Sequence, residues 1–169
     1  MDDFYRENIL DHYKNPRNAG HRYTSRAMDD FYRENILDHY NNPRNHGHLE
    51  HPSAAAEGVN PLCGDELAVE LEVHDGVVTD IRYSGRGCAI SQAAASMLSD
   101  VVKGKPVDQL AQIGKEDVLE ELGIPLTPIR LKCAMLSVGV LKVALSELTG
   151  EPLPPEWNDP SDGIEWKSA

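Results

Sequence analysis

Residues 66–73 alternate strictly between apolar and polar side chains, and this alternation constrains the fold more than any other feature of the chain. A period of two residues is typical of a strand with one buried and one exposed face. His74, Asp75 and Gly76 supply a turn, and residues 77–84 are rich enough in β-branched and aromatic side chains to return as the partner strand. The sequence therefore predicts an antiparallel hairpin, with a third strand before Asn60.

Helical patterns follow the hairpin. Ala, Ser, Met and Leu dominate residues 89–103 and predict a helix there, and short helices are expected through residue 122. Thr127 as N-cap and Pro128 in the first helical position predict a long helix that ends near residue 148. Its apolar stripe consists of Ile129, Cys133, Leu136, Val140 and Val143.

The segment MDDFYRENILDHYKNPRNAG at residues 1–20 returns as MDDFYRENILDHYNNPRNHG at residues 28–47. Two copies are too few for a solenoid, which needs about three repeats to bury a continuous core. Each copy predicts a short amphipathic helix, which spans residues 29–40 in the second copy. The side chains available to its apolar face are Phe31, Ile36, Leu37 and Tyr40.

One domain offers one groove for such a helix, so we expect the second copy to dock. The first copy is then exposed to solvent, frayed, or exchanged onto a neighbouring chain to give a homo-oligomer. The sequence thus predicts three segments. They are a duplicated helix and linker at residues 1–27, a folded domain at 28–149, and an acidic, Pro-rich tail at 150–169.

Composition excludes several classes of protein. The 169 residues are 40% apolar, which suits one domain, and the net charge of -12 opposes binding to nucleic acid or to an anionic membrane surface. No apolar run approaches the roughly 18 residues of a membrane span, and the chain begins without a signal-peptide pattern. We therefore expect a cytoplasmic protein. Three cysteines in a reducing compartment argue against a disulfide framework and for metal or thiol chemistry.

Each cysteine lies at a loop or at the start of an element. Cys63 is followed closely by Asp65, so a thiol and a carboxylate can reach one ion. Cys88 stands where the hairpin gives way to a helix, near the positive end of the helix dipole. Cys133 has Arg130 one turn earlier and Lys132 beside it, and these cations are expected to lower the pKa of its thiol.

Together these residues predict one shared site, because cysteines placed at random in a core have no reason to stand beside glycines and an acid. Three thiolates and a carboxylate suit a tetrahedral zinc ion or a two-iron cluster, and the residues alone leave both open. A carboxylate is a hard ligand for a soft cluster, which favours release over storage. The sequence disfavours a phosphate loop and a cysteine hydrolase, because the motifs of both are incomplete. It also disfavours a metal site at His46, His48 and His51, because no periodic pattern in their loop brings the three rings together.

Four motifs carry a resemblance. Asp-His-Tyr-x-Asn-Pro-Arg-Asn, Asn-Pro-Leu-Cys-Gly-Asp, Gly-Cys-Ala-Ile-Ser and Arg-Leu-Lys-Cys-Ala, in this order over residues 28–148, resemble the IscU/SufU/NifU-N family of iron-sulfur cluster assembly scaffolds. The resemblance implies an α+β fold with a small three-stranded antiparallel sheet and helices packed on it. It also implies that a transient 2Fe-2S cluster or Zn²⁺ is held by Cys63, Asp65, Cys88 and Cys133.

By the same resemblance, a cysteine desulfurase delivers sulfur to Cys133, Asp65 eases cluster release, and apo iron-sulfur proteins or carriers receive the cluster. The protein is then a carrier more than an enzyme. Lys132 stands where the IscU branch has a histidine and makes the chain SufU-like there, although it lacks the insertion usual in SufU. The alternative is therefore a zinc-dependent sulfurtransferase of a SUF-type system. Arg130 and Lys132 would lie next to the ligands without binding the metal themselves.

Overall fold

The computed structural model describes residues 23–157 and 163–168, with helices packed on an antiparallel sheet. The chain divides into two units, residues 1–31 and 32–169. The first copy of the duplicated segment, residues 1–20, lies outside the described residues. The predicted three-way division of the chain stays a prediction.

The strands are β1 (Ala54–Asn60), β2 (Asp65–His74), β3 (Val77–Arg86) and β4 (Glu165–Ser168). They form one sheet in the order β3-β2-β1-β4, and each pair of neighbours is antiparallel. Strands β2 and β3 are the predicted hairpin, which turns through Asp75 and Gly76 with both residues at positive φ. The alternation of residues 66–73 buries Leu67, Val69 and Leu71 as expected.

The predicted α+β class with an antiparallel sheet is confirmed, but the sheet has four strands and not three. Strand β4 comes from the segment predicted to be a tail, and it pairs with β1. The Trp166 ring lies so close to Gly58 and Gly139 that a side chain at either glycine would overlap it. A strand of four residues is too short to show a hydrophobic period, so the sequence did not predict it.

The helices are α1 (Tyr23–Asn41), α2 (Ala89–Val102), α3 (Val107–Leu110), α4 (Lys115–Leu122) and α5 (Pro128–Thr149), and a 3-10 turn follows at Pro155–Trp157. Helix α5 begins as predicted, because the Thr127 side chain accepts the N–H of Arg130 and Pro128 occupies the first turn. It is buried on all sides from Cys133 to Leu145, so it forms the centre of the core and not an amphipathic surface helix. No described helix combines the length and apolarity that a membrane crossing needs.

Helix α1 begins earlier than predicted and buries a different face. Tyr32, Ile36 and His39 are buried, whereas Phe31, Leu37 and Tyr40 are exposed. Residues 32, 36 and 39 share one helical face, because their spacing of four and three residues keeps them nearly aligned. The predicted apolar face was therefore wrong in all but Ile36. The hydrophobic pattern of the sequence could not indicate that His39, a polar residue, would be buried.

Candidate metal centre

The loop between β1 and β2 fixes Cys63 through Asn60, which is fully buried. The Asn60 carbonyl accepts the N–H groups of Cys63 at 3.2 Å and Gly64 at 2.9 Å, and its side-chain Oδ1 accepts the N–H of Leu62 at 3.2 Å. Gly64 has a φ of 70°, in the left-handed region that glycine adopts at no steric cost. The Nδ2 of Asn60 is a buried donor with no hydrogen-bond partner within the described part of the chain. The loop is thus held by three hydrogen bonds to Asn60 and retains a donor for an anionic group.

Asp65 opens β2 and is fully buried, which is unusual for a carboxylate. Its Oδ1 accepts the backbone N–H of Cys88 at 2.9 Å. A side chain at Gly87 would overlap the Asp65 carboxylate and the Ser91 hydroxyl, so glycine is required for this close approach. The hairpin and helix α2 are therefore joined through one carboxylate.

Cys88 is the N-cap residue of α2 but makes no side-chain capping bond. Its carbonyl accepts hydrogen bonds from the N–H of Gln92 and the hydroxyl of Ser91, and its sulfur remains available at the N-terminus of the helix. The Cys88 Sγ lies 3.9 Å from the Asp65 Oδ2. The backbone N–H and the sulfur of Cys88 thus both contact the Asp65 carboxylate.

Cys133 lies in the second turn of α5 and faces Cys63. Its Sγ is 3.0 Å from the Cys63 Sγ, and its thiol donates to the Ile129 carbonyl at 3.5 Å. A disulfide would need about 2.05 Å, and all three cysteines are unpaired thiols. Two chain segments 70 residues apart therefore meet at their sulfur atoms.

The donor atoms of Cys63, Asp65 and Cys133 all lie within 4.8 Å of one another, and Cys88 borders the group through Asp65. A tetrahedral zinc ion with Zn–S bonds of about 2.3 Å separates its ligands by about 3.8 Å. The spacing and chemistry of these donors therefore fit zinc, and they equally fit the thiolate ligation of a two-iron cluster. The four residues predicted to share a site are all placed at one end of the sheet.

The predicted effect of nearby cations on Cys133 is wrong for the metal-free protein. Burial raises the pKa of the Cys133 thiol far above its ordinary value, and hydrogen bonds with Cys63 and Asp65 raise it further. Arg130 is exposed, and Lys132 is half-buried at the wall of a cavity of about 360 Å³. The sequence places two cations near Cys133 along the chain, but the burial of the helix has the larger effect on the pKa of its thiol.

Some residues of the centre gave only weak sequence signals. Asn60 and Ser91 hold Cys63 and Cys88 through hydrogen bonds, but each looks like an ordinary turn or helix residue in the sequence. Leu62 and Ile129 are 67% and 63% exposed next to the two facing cysteines, which gives the centre an apolar rim. The loop histidines lie elsewhere, with His46 against the Tyr83 ring and His48 paired with Glu70.

Fold and centre together define a class of protein: a small α+β domain that gathers three thiols and a buried carboxylate at one end of its sheet. The chain belongs to the family described as NifU-like N terminal domain, which it matches over residues 31–153.

Named relatives cover most of the chain. The zinc-dependent sulfurtransferase SufU of Bacillus subtilis (strain 168) is 34% identical over 167 residues, which covers 89% of this chain and 95% of the relative. The iron-sulfur cluster assembly scaffold protein IscU of Escherichia coli (strain K12) is 34% identical over 144 residues, with coverage of 85% and 92%. IscU of Aquifex aeolicus (strain VF5) is 37% identical over 145 residues, with coverage of 85% and 74%.

Solved structures agree on the fold. The N-terminal part of a nitrogen-fixing NifU-like protein from Brucella abortus superposes with a TM-score of 0.60 at 24% identity, over 74% of this chain and 99% of that chain. The SufU protein of the SUF system from Fervidobacterium islandicum AW-1 gives 0.57 at 25% identity, over 66% and 94%. The architecture described above is thus the family fold.

Proposed function

We propose that this protein is an iron-sulfur cluster assembly scaffold that accepts sulfur from a cysteine desulfurase, assembles a 2Fe-2S cluster and passes it to apo proteins or carriers. The observation that carries the proposal is the convergence of Cys63, Asp65 and Cys133 within 4.8 Å, with Cys88 beside them. Three sulfur donors and one oxygen donor suit a cluster. The relatives named as scaffolds, at 34% and 37% identity, support the same function.

Cys133 is the proposed sulfur acceptor. The Cys133 sulfur attacks the outer sulfur of the desulfurase persulfide as its thiol proton is released, the sulfur–sulfur bond breaks, and the desulfurase cysteine leaves as a thiolate, so no external oxidant is needed. Cys63 lies at 3.0 Å from Cys133 and can share the delivered sulfur. The exposed Leu62 and Ile129 flank both thiols and offer the desulfurase an apolar contact.

Asp65 is proposed to make the cluster transferable. A carboxylate binds a soft iron-sulfur core less well than a thiolate does, so the bond at Asp65 is the weakest of the four. Asp65→Ala is therefore expected to slow cluster transfer and prolong the lifetime of the coloured protein. Asp108→Ala, at an exposed position of α3, is the matched control and should leave the transfer rate unchanged.

A zinc-dependent sulfurtransferase is the second candidate function. Lys132 favours it, because a charged lysine cannot ligate metal at the position where the IscU branch has a histidine. The relative from Bacillus subtilis carries that name. Cys63, Asp65, Cys88 and Cys133 would hold the zinc ion, which would lower the pKa of the bound thiols. In this case the protein is the enzymatic partner of the desulfurase.

One experiment separates the two functions. The protein is incubated anaerobically with cysteine desulfurase, cysteine, ferrous iron and a reductant, with and without zinc, while visible circular dichroism and sulfide release are followed together. A scaffold forms a chiral two-iron chromophore that is lost in Cys63→Ser and Cys88→Ser. A sulfurtransferase accelerates the desulfurase only when zinc is bound and forms no chromophore.

Lys132→His tests whether Lys132 determines the preference of the protein for zinc over iron. If Lys132 decides the metal, the substitution should shift binding from zinc towards iron under competition. An unchanged preference would make Lys132 a bystander to metal choice. We also propose that the protein works in the cytoplasm, where desulfurase, iron and apo proteins meet.

A further inference from the structure

We infer that Trp166 is a positioning residue of the metal centre: its ring holds β1 against α5 and so fixes the separation of the Cys63 and Cys133 sulfur atoms. Cys63 follows the end of β1, Cys133 lies on α5, and their sulfur atoms are 3.0 Å apart. A scaffold and a sulfurtransferase need the same pair of thiols, so this role of Trp166 goes beyond the proposed function.

Strand β1 lies directly against helix α5 at Gly58. The Cβ of any side chain at Gly58 would come within 2.6 Å of the Val140 Cγ2 and within 2.9 Å of the Trp166 ring. Carbon atoms in favourable contact are about 3.5–4.0 Å apart, so a side chain does not fit there. Glycine therefore lets the backbone of the strand rest on the helix, with the Trp166 ring beside this contact.

The Trp166 ring contacts the helix as well as the strand. A side chain at Gly139 would overlap the same six-membered part of the indole that borders Gly58. The Nε1 of Trp166 donates to the Trp157 carbonyl at 2.9 Å, which fixes the orientation of the ring, and the ring packs against the hydrophobic core. One side chain thus joins the two elements that carry the facing thiols.

Strand β4 holds the outer edge of β1 next to these contacts. Trp166 lies opposite Gly58 in the register, and Glu165 lies opposite Val59. The other edge of β1 pairs with β2, where Asn60 lies opposite Asp65. Pairing with β4 covers backbone groups that an edge strand would leave open. The last residues of β1 are therefore held on both sides, immediately before the loop that carries Cys63.

Both contacts of the ring are coupled to the thiols through short, ordered pieces of chain. Gly58 precedes Asn60 by two residues, and the Asn60 carbonyl accepts the N–H of Cys63 at 3.2 Å. Gly139 follows Cys133 on one helix, about 9 Å further along its axis. A shift of the helix relative to the strand therefore changes the distance between the sulfur atoms. A misplacement of about 1 Å can lower a rate by about 10²-fold.

Leu71 provides a matched control for a purely stabilising role. It is fully buried in the core, but it pairs with Ala54 at the beginning of β1. At about 3.3 Å per residue, Ala54 lies about 20 Å from Asn60 at the other end of the strand. Leu71→Ala should therefore lower the free energy of unfolding without changing the pair of thiols.

The thiol pair is measured in the full, metal-free chain by equilibration with oxidised and reduced glutathione. Oxidised glutathione takes two electrons and two protons from Cys63 and Cys133, which form a disulfide, and two molecules of reduced glutathione are released. Peptide masses after alkylation give the equilibrium constant for this pair. Trp166→Leu should lower it by at least about tenfold, Trp166→Phe by less than about threefold because a ring remains, and Leu71→Ala by less than about twofold.

Gly139→Ala tests the same contact if Trp166→Leu does not fold. Its methyl group displaces the ring while the chain keeps Trp166, so the equilibrium constant should fall by at least about threefold. In a Trp166→Leu protein that folds, adding Gly139→Ala should change the constant by less than about twofold, since the ring is already absent. Independent effects of the two substitutions would contradict a role of the ring.

Zinc titration gives a second measurement, in which Trp166→Leu should bind zinc about tenfold more weakly and Leu71→Ala should bind it normally. An unchanged thiol constant in Trp166→Leu, or an equal fall in Leu71→Ala, would overturn the inference, because Trp166 would then only stabilise the fold. Absence of zinc and cluster binding in the unsubstituted protein would instead contradict the proposed metal centre. The thiol constant needs no metal and decides the role of Trp166 in either case.

Discussion

The two ends of helix α2 border regions that combine polar groups in opposite ways. Its first turn follows Cys88 at the metal centre, and its later turns present Ser96 and Ser99 to the groove that holds residues 32–47. In the groove donors meet acceptors, as where the Ser96 hydroxyl contacts the His39 ring and the N–H of Arg44. At the metal centre the converging side chains are thiols and a carboxylate, which all become anions on deprotonation.

The groove therefore adds stability to the fold by itself, whereas the metal centre is arranged to bind a cation. Neutral complementary pairs in the groove contribute to folding at any metal concentration. Anionic groups crowded together repel one another until a cation binds, which reverses the electrostatics of the whole set. Changes in the groove should therefore alter the free energy of unfolding alone, whereas changes at the metal centre should alter the response to metal.

The largest effect is expected from Gly87→Ala. The added methyl group would overlap the Asp65 carboxylate and the Ser91 hydroxyl, so the contact between Asp65 and the Cys88 amide must open. We expect the free energy of unfolding to fall by about 2–3 kcal/mol and zinc affinity to fall by about 10²-fold. Calorimetric unfolding and zinc titration measure the two effects. Gly114→Ala is the control, because Gly114 has an ordinary φ and space around it.

Asp65→Asn should affect mainly the metal-bound protein. The amide keeps an acceptor for the Cys88 N–H but removes a charged ligand, so the metal-free protein should keep its stability or gain up to about 1 kcal/mol. Zinc at a hundredfold excess over its dissociation constant stabilises a protein by about 2.7 kcal/mol, and most of this gain should be lost. Unfolding curves with and without zinc measure it, and an equal gain in both proteins would contradict Asp65 as a ligand.

Ser96→Ala should have the reverse pattern. It leaves the buried His39 nitrogen and the Arg44 N–H without their partner, and we expect a loss of about 2 kcal/mol that zinc does not change. Ser137→Ala is the matched control, since Ser137 is as buried but its hydroxyl donates to the carbonyl of Ala134 within its own helix. A loss at Ser96 that varied with zinc would remove the separation between the two regions.

The sequence predicted the parts of the molecule that local rules govern. Strict alternation identified the hairpin, and Thr127 with Pro128 identified the start of α5. The four candidate ligands could be proposed because glycines and an acid accompany the cysteines and because their motifs resemble a family. The sequence could not indicate that Trp166 would fill the space above two glycines, or that burial would govern Cys133, since both depend on partners distant in the chain.

The buried face of α1 shows the same limit and leads to the smallest predicted effect. Burial is the main cause that lowers the pKa of His39, with Arg44 adding to it and Asp100 and Asp38 opposing it. Because the unfolded chain then binds more protons than the folded one, the stability from neutral His39 is complete above its ordinary pKa of 6.5. It is lost as the pH falls from there towards the lowered value.

His39→Gln should therefore flatten the dependence of the free energy of unfolding on pH below about 6.5, because glutamine keeps a polar contact with Ser96 but does not titrate in this range. Urea unfolding on either side of pH 6.5 measures this dependence in both proteins. His48→Gln, at an exposed histidine beside Glu70, should leave the contribution of His39 intact. Identical profiles for His39→Gln and the unsubstituted protein would mean that α1 docks without regard to the charge of His39.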